Sequence, residues 1–150
     1  MEILSKLEST RARTLRYFDL GDEDLARTYG PGKWPVRFVL LHIADSETVL
    51  AERIRRTLSE ARPVLWAFDP DQWAAGLDYS QLPLGLSRQI YEATRAGIIH
   101  LVRQFYETHG DREFVHSETG VRTLKQEFDK VADHNEHHLA QIEMALAQKD

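Results

Sequence analysis

The sequence contains no cysteine among its 150 residues. This absence excludes disulfide bonds, zinc sites built on thiolate ligands and a cysteine nucleophile of the protein's own. Any metal ion that the chain binds must therefore be held by nitrogen and oxygen ligands.

The sequence also lacks an excess of basic residues and a long apolar run. Lys and Arg number 19 against 24 Asp and Glu, and no basic stripe is present that would neutralise nucleic-acid phosphates. No stretch approaches the about 18 apolar residues that a membrane span requires, and the N-terminal MEILSKLEST does not resemble a signal peptide. We therefore expect no nucleic acid or membrane as partner, and a cytoplasmic location.

The length and composition fit one globular domain. Apolar residues make up 42% of the chain and charged residues 29%, which is the usual balance of a protein with a packed core. A single domain over residues 1–150 is expected.

Apolar residues recur at helical spacing in four long segments. These segments cover residues 3–18, 35–60, 86–107 and 123–147. Thr123 can cap the last helix while Gln126 reaches back to the backbone of the cap. Because no convincing strand appears, the pattern predicts an all-α protein with a four-helix bundle.

The connections between the helices differ in character. Residues 19–33 have room for one short helical turn, and residues 108–122 fit either a turn or a small hairpin. Residues 61–85, between the second and third helices, hold three prolines, two glycines and two tryptophans. They are expected to form an irregular aromatic loop that packs on the bundle as a lid.

The apolar spacing of the third helix predicts which of its residues face inward. These residues are Ile90, Thr94, Gly97, Ile98, Leu101, Val102 and Phe105. Gly97 would let a neighbouring helix approach closely, whereas Arg95 is predicted to lie on the outside, where replacing it with alanine costs little stability.

Histidines cluster in the stretch DHNEHHLAQIEMAL of the last helix. His134 and His138 share the apolar face of this helix, one turn apart, whereas His137 falls on a polar face. Two imidazoles at this spacing can reach one metal ion. The pair alone is also compatible with a structural or surface role, and a third ligand, offered by His42 in the second helix, favours the metal site.

Other polar residues are also candidates for a place in or near this metal site. Asp45, three residues after His42, could accept a hydrogen bond from a ligating imidazole, act as a further ligand, or pair with an arginine. His100, His109 and His116 are interpreted as structural or solvated.

Three stretches together resemble the DinB/YfiT-like superfamily of bacterial proteins. They are GPGKWPVRFVLLHIADSETVLAERIRR, LWAFDPDQW and HNEHHLAQI, and their order and separation extend over nearly the whole chain. The resemblance implies an up-down-down-up four-helix bundle, often a homodimer. It also implies one divalent ion, such as zinc, nickel or iron, held by His42, His134 and His138.

The resemblance further implies a metal-dependent enzyme acting on a small molecule. Relatives include enzymes that use a low-molecular-weight thiol such as bacillithiol, mycothiol or glutathione, so an S-transferase is the first expectation. Trp66, Phe68 and Trp73 could form the apolar wall for its substrate, or could simply pack.

Two alternatives to the transferase remain open. One is a metal-dependent hydrolase that uses metal-bound water, for which Asp45 and Glu136 are the nearest acidic candidates in sequence. The other is a non-catalytic, metal-dependent stress-response binding protein.

Overall fold

A computed structural model describes residues 1–148 and confirms the four long helices. Helices α1 (Glu2–Tyr17), α3 (Val36–Ser59), α5 (Leu84–Phe105) and α6 (Leu124–Ala147) begin and end within two residues of the predicted limits. The short turn expected in the first connection is helix α2 (Asp22–Leu25). No helix within residues 1–148 is long and apolar enough to cross a membrane.

Helix α6 begins with the capping box that its sequence predicts. The Thr123 hydroxyl accepts a hydrogen bond from the backbone N–H of Gln126, and the Gln126 side chain accepts one from the N–H of Thr123. Two backbone donors that the first helical turn would leave without partners are thereby satisfied. The cap fixes where α6 starts and hence which of its residues face the bundle.

The four long helices enclose buried apolar clusters. Helices α1 and α3 each pack against both α5 and α6. One apolar cluster includes Leu7, Ile54, Val102 and Phe128, and a second surrounds Tyr91 and the middle of α3. Burial of these side chains supplies the main favourable free energy for holding the helices together.

A small sheet departs from the expectation that the protein has no strands. Strands β2 (Glu113–His116) and β3 (Gly120–Thr123) form an antiparallel hairpin, and β1 (Val64–Leu65) pairs with β2 in parallel. Phe114 and His116 are buried while Glu113 is exposed, as the period of two requires. Four-residue strands carry too short a pattern to decide between turn and hairpin from sequence alone.

The aromatic segment between α3 and α5 is more regular than predicted. Besides β1 it contains helix α4 (Pro70–Gly76), whose N-cap Asp69 accepts hydrogen bonds from two backbone N–H groups of the first turn. Farther along, Tyr79 is buried against α3. The segment therefore has fixed structure next to the middle of α3.

The predicted inward face of α5 was partly wrong. Ile98 and Val102 are buried, but Ile90 is 46% exposed and a side chain at Gly97 would meet no atom within 4 Å. Tyr91 and Arg95 are fully buried instead. The prediction that Arg95 lies on the outside follows from its place off the apolar face of the helix, and it is wrong because the buried partners of Arg95 lie on other helices.

Candidate metal centre

Three histidines from two helices converge inside the bundle. His42 lies in the second turn of α3, and His134 and His138 lie one turn apart on α6. The Nε2 atoms of His42 and His134 are 3.3 Å apart, those of His42 and His138 are 3.0 Å apart, and those of His134 and His138 are 3.0 Å apart. The structure thus brings together the three residues selected from the sequence.

These separations fit a common tetrahedral ligand set. Two nitrogens at about 2.05 Å from a zinc ion, with a tetrahedral angle between them, lie about 3.3 Å apart. The three Nε2 separations of 3.0–3.3 Å match this value closely. The rings therefore need only small adjustments to bind one ion.

Hydrogen bonding among the three rings cannot satisfy all of them. Each Nε2 atom of a neutral imidazole either carries a hydrogen or presents a lone pair. Because there are three neighbouring Nε2 atoms and only these two states, at least two of the atoms must either both carry a hydrogen or both present a lone pair. Those two atoms repel each other. The Nδ1 atom of His138 lies 2.7 Å from Oε1 of Gln141, which assigns the hydrogen to Nδ1 and the lone pair to Nε2. A cation between three such lone pairs removes the repulsion.

Burial keeps the three rings neutral. It is the main cause that lowers the pKa of His42 to about 3 and that of His134 to about 2, and repulsion from neighbouring histidines lowers both further. Burial also lowers the pKa of His138. Near pH 7 each ring therefore keeps a lone pair available for a metal ion.

Ser46 and Gln141, rather than Asp45, are the polar residues next to the histidine rings. The Ser46 hydroxyl lies 3.4 Å from Nδ1 and 3.3 Å from Nε2 of His42, and Gln141 contacts Nδ1 of His138. Asp45 accepts a hydrogen bond from the Tyr79 hydroxyl. The predicted bond between Asp45 and His42 is not formed within residues 1–148, because the carboxylate points to the buried tyrosine of the aromatic segment.

A cleft of about 720 Å³ opens over the three histidines. Its aromatic wall is formed by Trp34, whose ring centroid is 5.3 Å from that of His42, and by Phe68, at 6.2 Å. Trp73 packs behind Phe68 at 5.0 Å and is absent from the described lining. The Trp66 side chain is 76% exposed and is also absent from that lining. Only Phe68 of the three predicted wall residues therefore lines the cleft.

The cleft also contains polar residues that sequence reasoning missed. His116 was interpreted as structural or solvated, but it is only 6% exposed and lines the cleft together with Lys130. Lys130 lies one helical turn before His134, a spacing that could have drawn attention to it. His116 reaches the cleft only because the hairpin folds over the bundle, which no spacing in the sequence reveals.

Comparison with known sequences identifies the family. The sequence pattern of the DinB superfamily matches residues 6–142. The chain belongs to the DinB superfamily. This family membership agrees with the resemblance carried by the tryptophan and histidine stretches.

Relatives of this DinB superfamily chain have names that refer to a metal. A protein of Oceanobacillus iheyensis is 36% identical over 128 residues, which cover 85% of this chain and 73% of the relative. One of Halalkalibacterium halodurans is 30% identical over 127 residues, covering 85% and 74%. Both are named "Putative metal-dependent hydrolase".

A solved structure has the same fold. YfiT from Bacillus subtilis superposes with a TM-score of 0.85 at 25% identity, over 95% of this chain and 82% of YfiT. It is described as "a probable metal-dependent hydrolase with an unusual four-helix bundle topology". The DinB superfamily chain is therefore a largely helical protein similar to the YfiT four-helix bundle.

Proposed function

We propose that this DinB superfamily chain is a metal-dependent hydrolase that holds one divalent ion with His42, His134 and His138. The observation that carries the proposal is the convergence of three neutral Nε2 atoms within 3.0–3.3 Å of one another beneath an open cleft. The names of the relatives support the same reaction class.

The donor set is compatible with several ions. Zinc, nickel and iron all accept imidazole ligands, and three protein ligands leave coordination positions open for small molecules. Such an ion supplies Lewis-acid chemistry, which lowers the pKa of water and polarises a carbonyl group. Gln141 orients the imidazole of His138 for this role through its contact with Nδ1.

The acidic residues first considered as general bases are engaged elsewhere. Asp45 is bonded to Tyr79, and Glu136 is paired with Arg13 on the outer face of α6 at 2.8 Å. Asp71 and Glu118, both exposed, are the carboxylates among the residues that line the cleft. We propose that one of these two accepts the proton that the nucleophile loses.

A thiol-dependent S-transferase is the second candidate. No carboxylate within residues 1–148 is hydrogen-bonded to the three histidines, and a thiol, with an ordinary pKa of about 8.5, needs less help from a base than water does. The cleft volume of about 720 Å³ lies within the range that accommodates a drug-sized ligand. A thiol such as bacillithiol, mycothiol or glutathione would lose its proton to solvent, and its sulfur would form a bond to an electrophilic carbon beside Trp34 and Phe68 as the leaving group departs from that carbon with its electron pair.

One set of assays separates these possibilities. Protein purified without added metal or chelator is first analysed for its metal content. It is then supplied with zinc, nickel or iron. Each metal-loaded sample is tested for hydrolysis of esters and amides without thiol, and for conjugation of a thiol to electrophiles. Hydrolysis without thiol that is lost in the His134→Ala/His138→Ala variant supports the first candidate, and metal-dependent conjugation supports the second. If metal binds but neither reaction occurs, a binding protein remains; if no metal binds, the proposal is wrong.

We also infer the up-down-down-up order of the helices. Successive contacts between two helices show whether the helices are parallel. Residue numbers rise on one helix and fall on the other for α1 with α5 and for α3 with α6, and they rise together for α1 with α6. The pairs are Glu8 with Arg103, Asp19 with Arg88, His42 with His138, Arg53 with Glu127, Thr14 with Asn135, and Tyr17 with Glu143. These contacts support α1 and α6 running one way and α3 and α5 the other.

A further inference from the structure

A group of cationic side chains lies along the cleft beside the three histidines. Lys130 on α6 and Arg53 on α3 both line the cleft, and Arg122 on β3 lies close behind them. The acidic side chain among them is Glu127, whose carboxylate is 3.3 Å from Arg53 and 3.7 Å from Arg122. Three cations and one anion leave this group with a net charge of +2.

Lys130 is the member of this group without a partner. Glu127 is fully buried between the two arginines, and Arg53 also donates a hydrogen bond to the backbone carbonyl of Trp66 at 2.9 Å. Within the described part of the chain, the ammonium of Lys130 forms no ion pair within 4.0 Å. Burial is the main cause that lowers the pKa of Lys130; Glu127 raises it, and the charges of Arg53 and Arg122 lower it. An anionic ligand would offset the effects of burial and of the two arginines.

His116 offers a second donor in the same cleft. Its Nδ1 atom accepts hydrogen bonds from the backbone N–H groups of Glu118 and Thr119, both at 3.2 Å. The neutral ring therefore carries its hydrogen on Nε2 and acts there as a donor. The tight turn of the hairpin, where Gly120 has a φ of +79°, holds the ring in this state.

We propose that Lys130 and His116, with the positive charge of Arg53 behind them, form a subsite for an anionic group of the substrate. The ligand class is a carboxylate or a phosphate, whose oxygens accept hydrogen bonds from ammonium and imidazole donors. The exposed carboxylates of Asp71 and Glu118 also line the cleft. The assignment of this subsite to a substrate rests on the proposed function, whereas its affinity for anions does not.

Binding of simple anions tests the subsite. Inorganic phosphate and, separately, succinate are titrated calorimetrically into wild type, Lys130→Gln and the matched control Lys125→Gln, which changes an exposed lysine of the same helix outside the cleft lining. Each protein is measured after chelation and again after loading with zinc. Losing one charge-assisted hydrogen bond weakens affinity by about tenfold or more, so Lys130→Gln should show this loss in both states and Lys125→Gln should match wild type.

The possible outcomes separate the subsite from the metal site. The probe whose affinity depends on Lys130, phosphate or succinate, shows whether the subsite binds a phosphate or a carboxylate group. Lys130→Arg should bind that probe with most of the wild-type affinity. The proposal is overturned if neither probe binds, or if binding requires only zinc and is equal in wild type and Lys130→Gln. If zinc does not bind at all, the proposed function fails, yet the chelated proteins still decide the subsite. Melting temperatures and zinc content of Lys130→Gln close to wild type exclude misfolding.

Discussion

Arg95 of α5 and Glu47 of α3 form an ion pair in the interior of the bundle, where their side chains are 0% and 3% exposed. Arg95 also donates hydrogen bonds to the backbone carbonyl of Leu7 at 2.9 Å, to Thr10 at 2.8 Å and to Asn135 at 2.7 Å. One guanidinium therefore connects all four long helices at the level just beyond the histidines.

The buried pair predicts a large effect of removing one partner. Arg95→Met leaves the carboxylate of Glu47 buried without compensation, and should lower the free energy of unfolding by about 3–5 kcal/mol. Arg103→Met is the matched control on the same helix, because its pair with Glu8 is 55% exposed on both sides, and it should cost at most about 1 kcal/mol. Urea denaturation measures both, and equal losses would contradict the role of Arg95.

Sequence periodicity located the three histidines because each lies on a regular helix whose apolar face is well defined. His42, His134 and His138 could be selected without knowing how the helices pack. The same reasoning failed at Arg95, because the partner that makes its burial possible is 48 residues away on another helix. It also failed at His116, which a hairpin of four-residue strands carries into the cleft.

Three expectations stay predictions: the homodimer, the cytoplasmic location and the single domain over residues 1–150.

The helix limits could be predicted from the sequence because caps and helix-breaking residues act locally, as the Thr123 capping box illustrates.

Metal content should depend on the converging histidines and not on their exposed neighbour. His42→Ala removes one of three ligands and should abolish retention of about one divalent ion per chain, whereas His137→Ala, a change on the same polar stretch, should retain it. Elemental analysis gives the content. Wild type should also gain about 2.7 kcal/mol of stability at a metal concentration one hundred times Kd, and the same gain in His42→Ala would refute this ligand set.

Gln141 should affect the zinc affinity of the site although it is not a metal ligand. Its Oε1 atom accepts a hydrogen bond from Nδ1 of His138 at 2.7 Å, which fixes the tautomer that presents Nε2 to the ion. Gln141→Ala should therefore weaken zinc affinity by about tenfold to a hundredfold, as measured by competition with a chromophoric chelator. Gln89→Ala, an exposed change on α5, serves as the control. A Kd unchanged by Gln141→Ala would show that His138 is oriented by other contacts.

The metal-free protein should lose stability as the pH falls below the ordinary pKa of histidine. Unfolded histidines take up protons near pH 6.5, whereas burial lowers the folded pKa of His42 to about 3 and of His134 to about 2. Between these values the unfolded state binds more protons, so the free energy of unfolding decreases with falling pH, by up to about 1.4 kcal/mol per pH unit for each histidine. Urea denaturation of chelated protein between about pH 7 and pH 5 measures this slope. This pH range lies above the range where most carboxylates titrate. His134→Gln/His138→Gln should reduce this slope while His42 still contributes to it, and an equal slope in wild type and variant would mean that His134 and His138 are not kept neutral by burial.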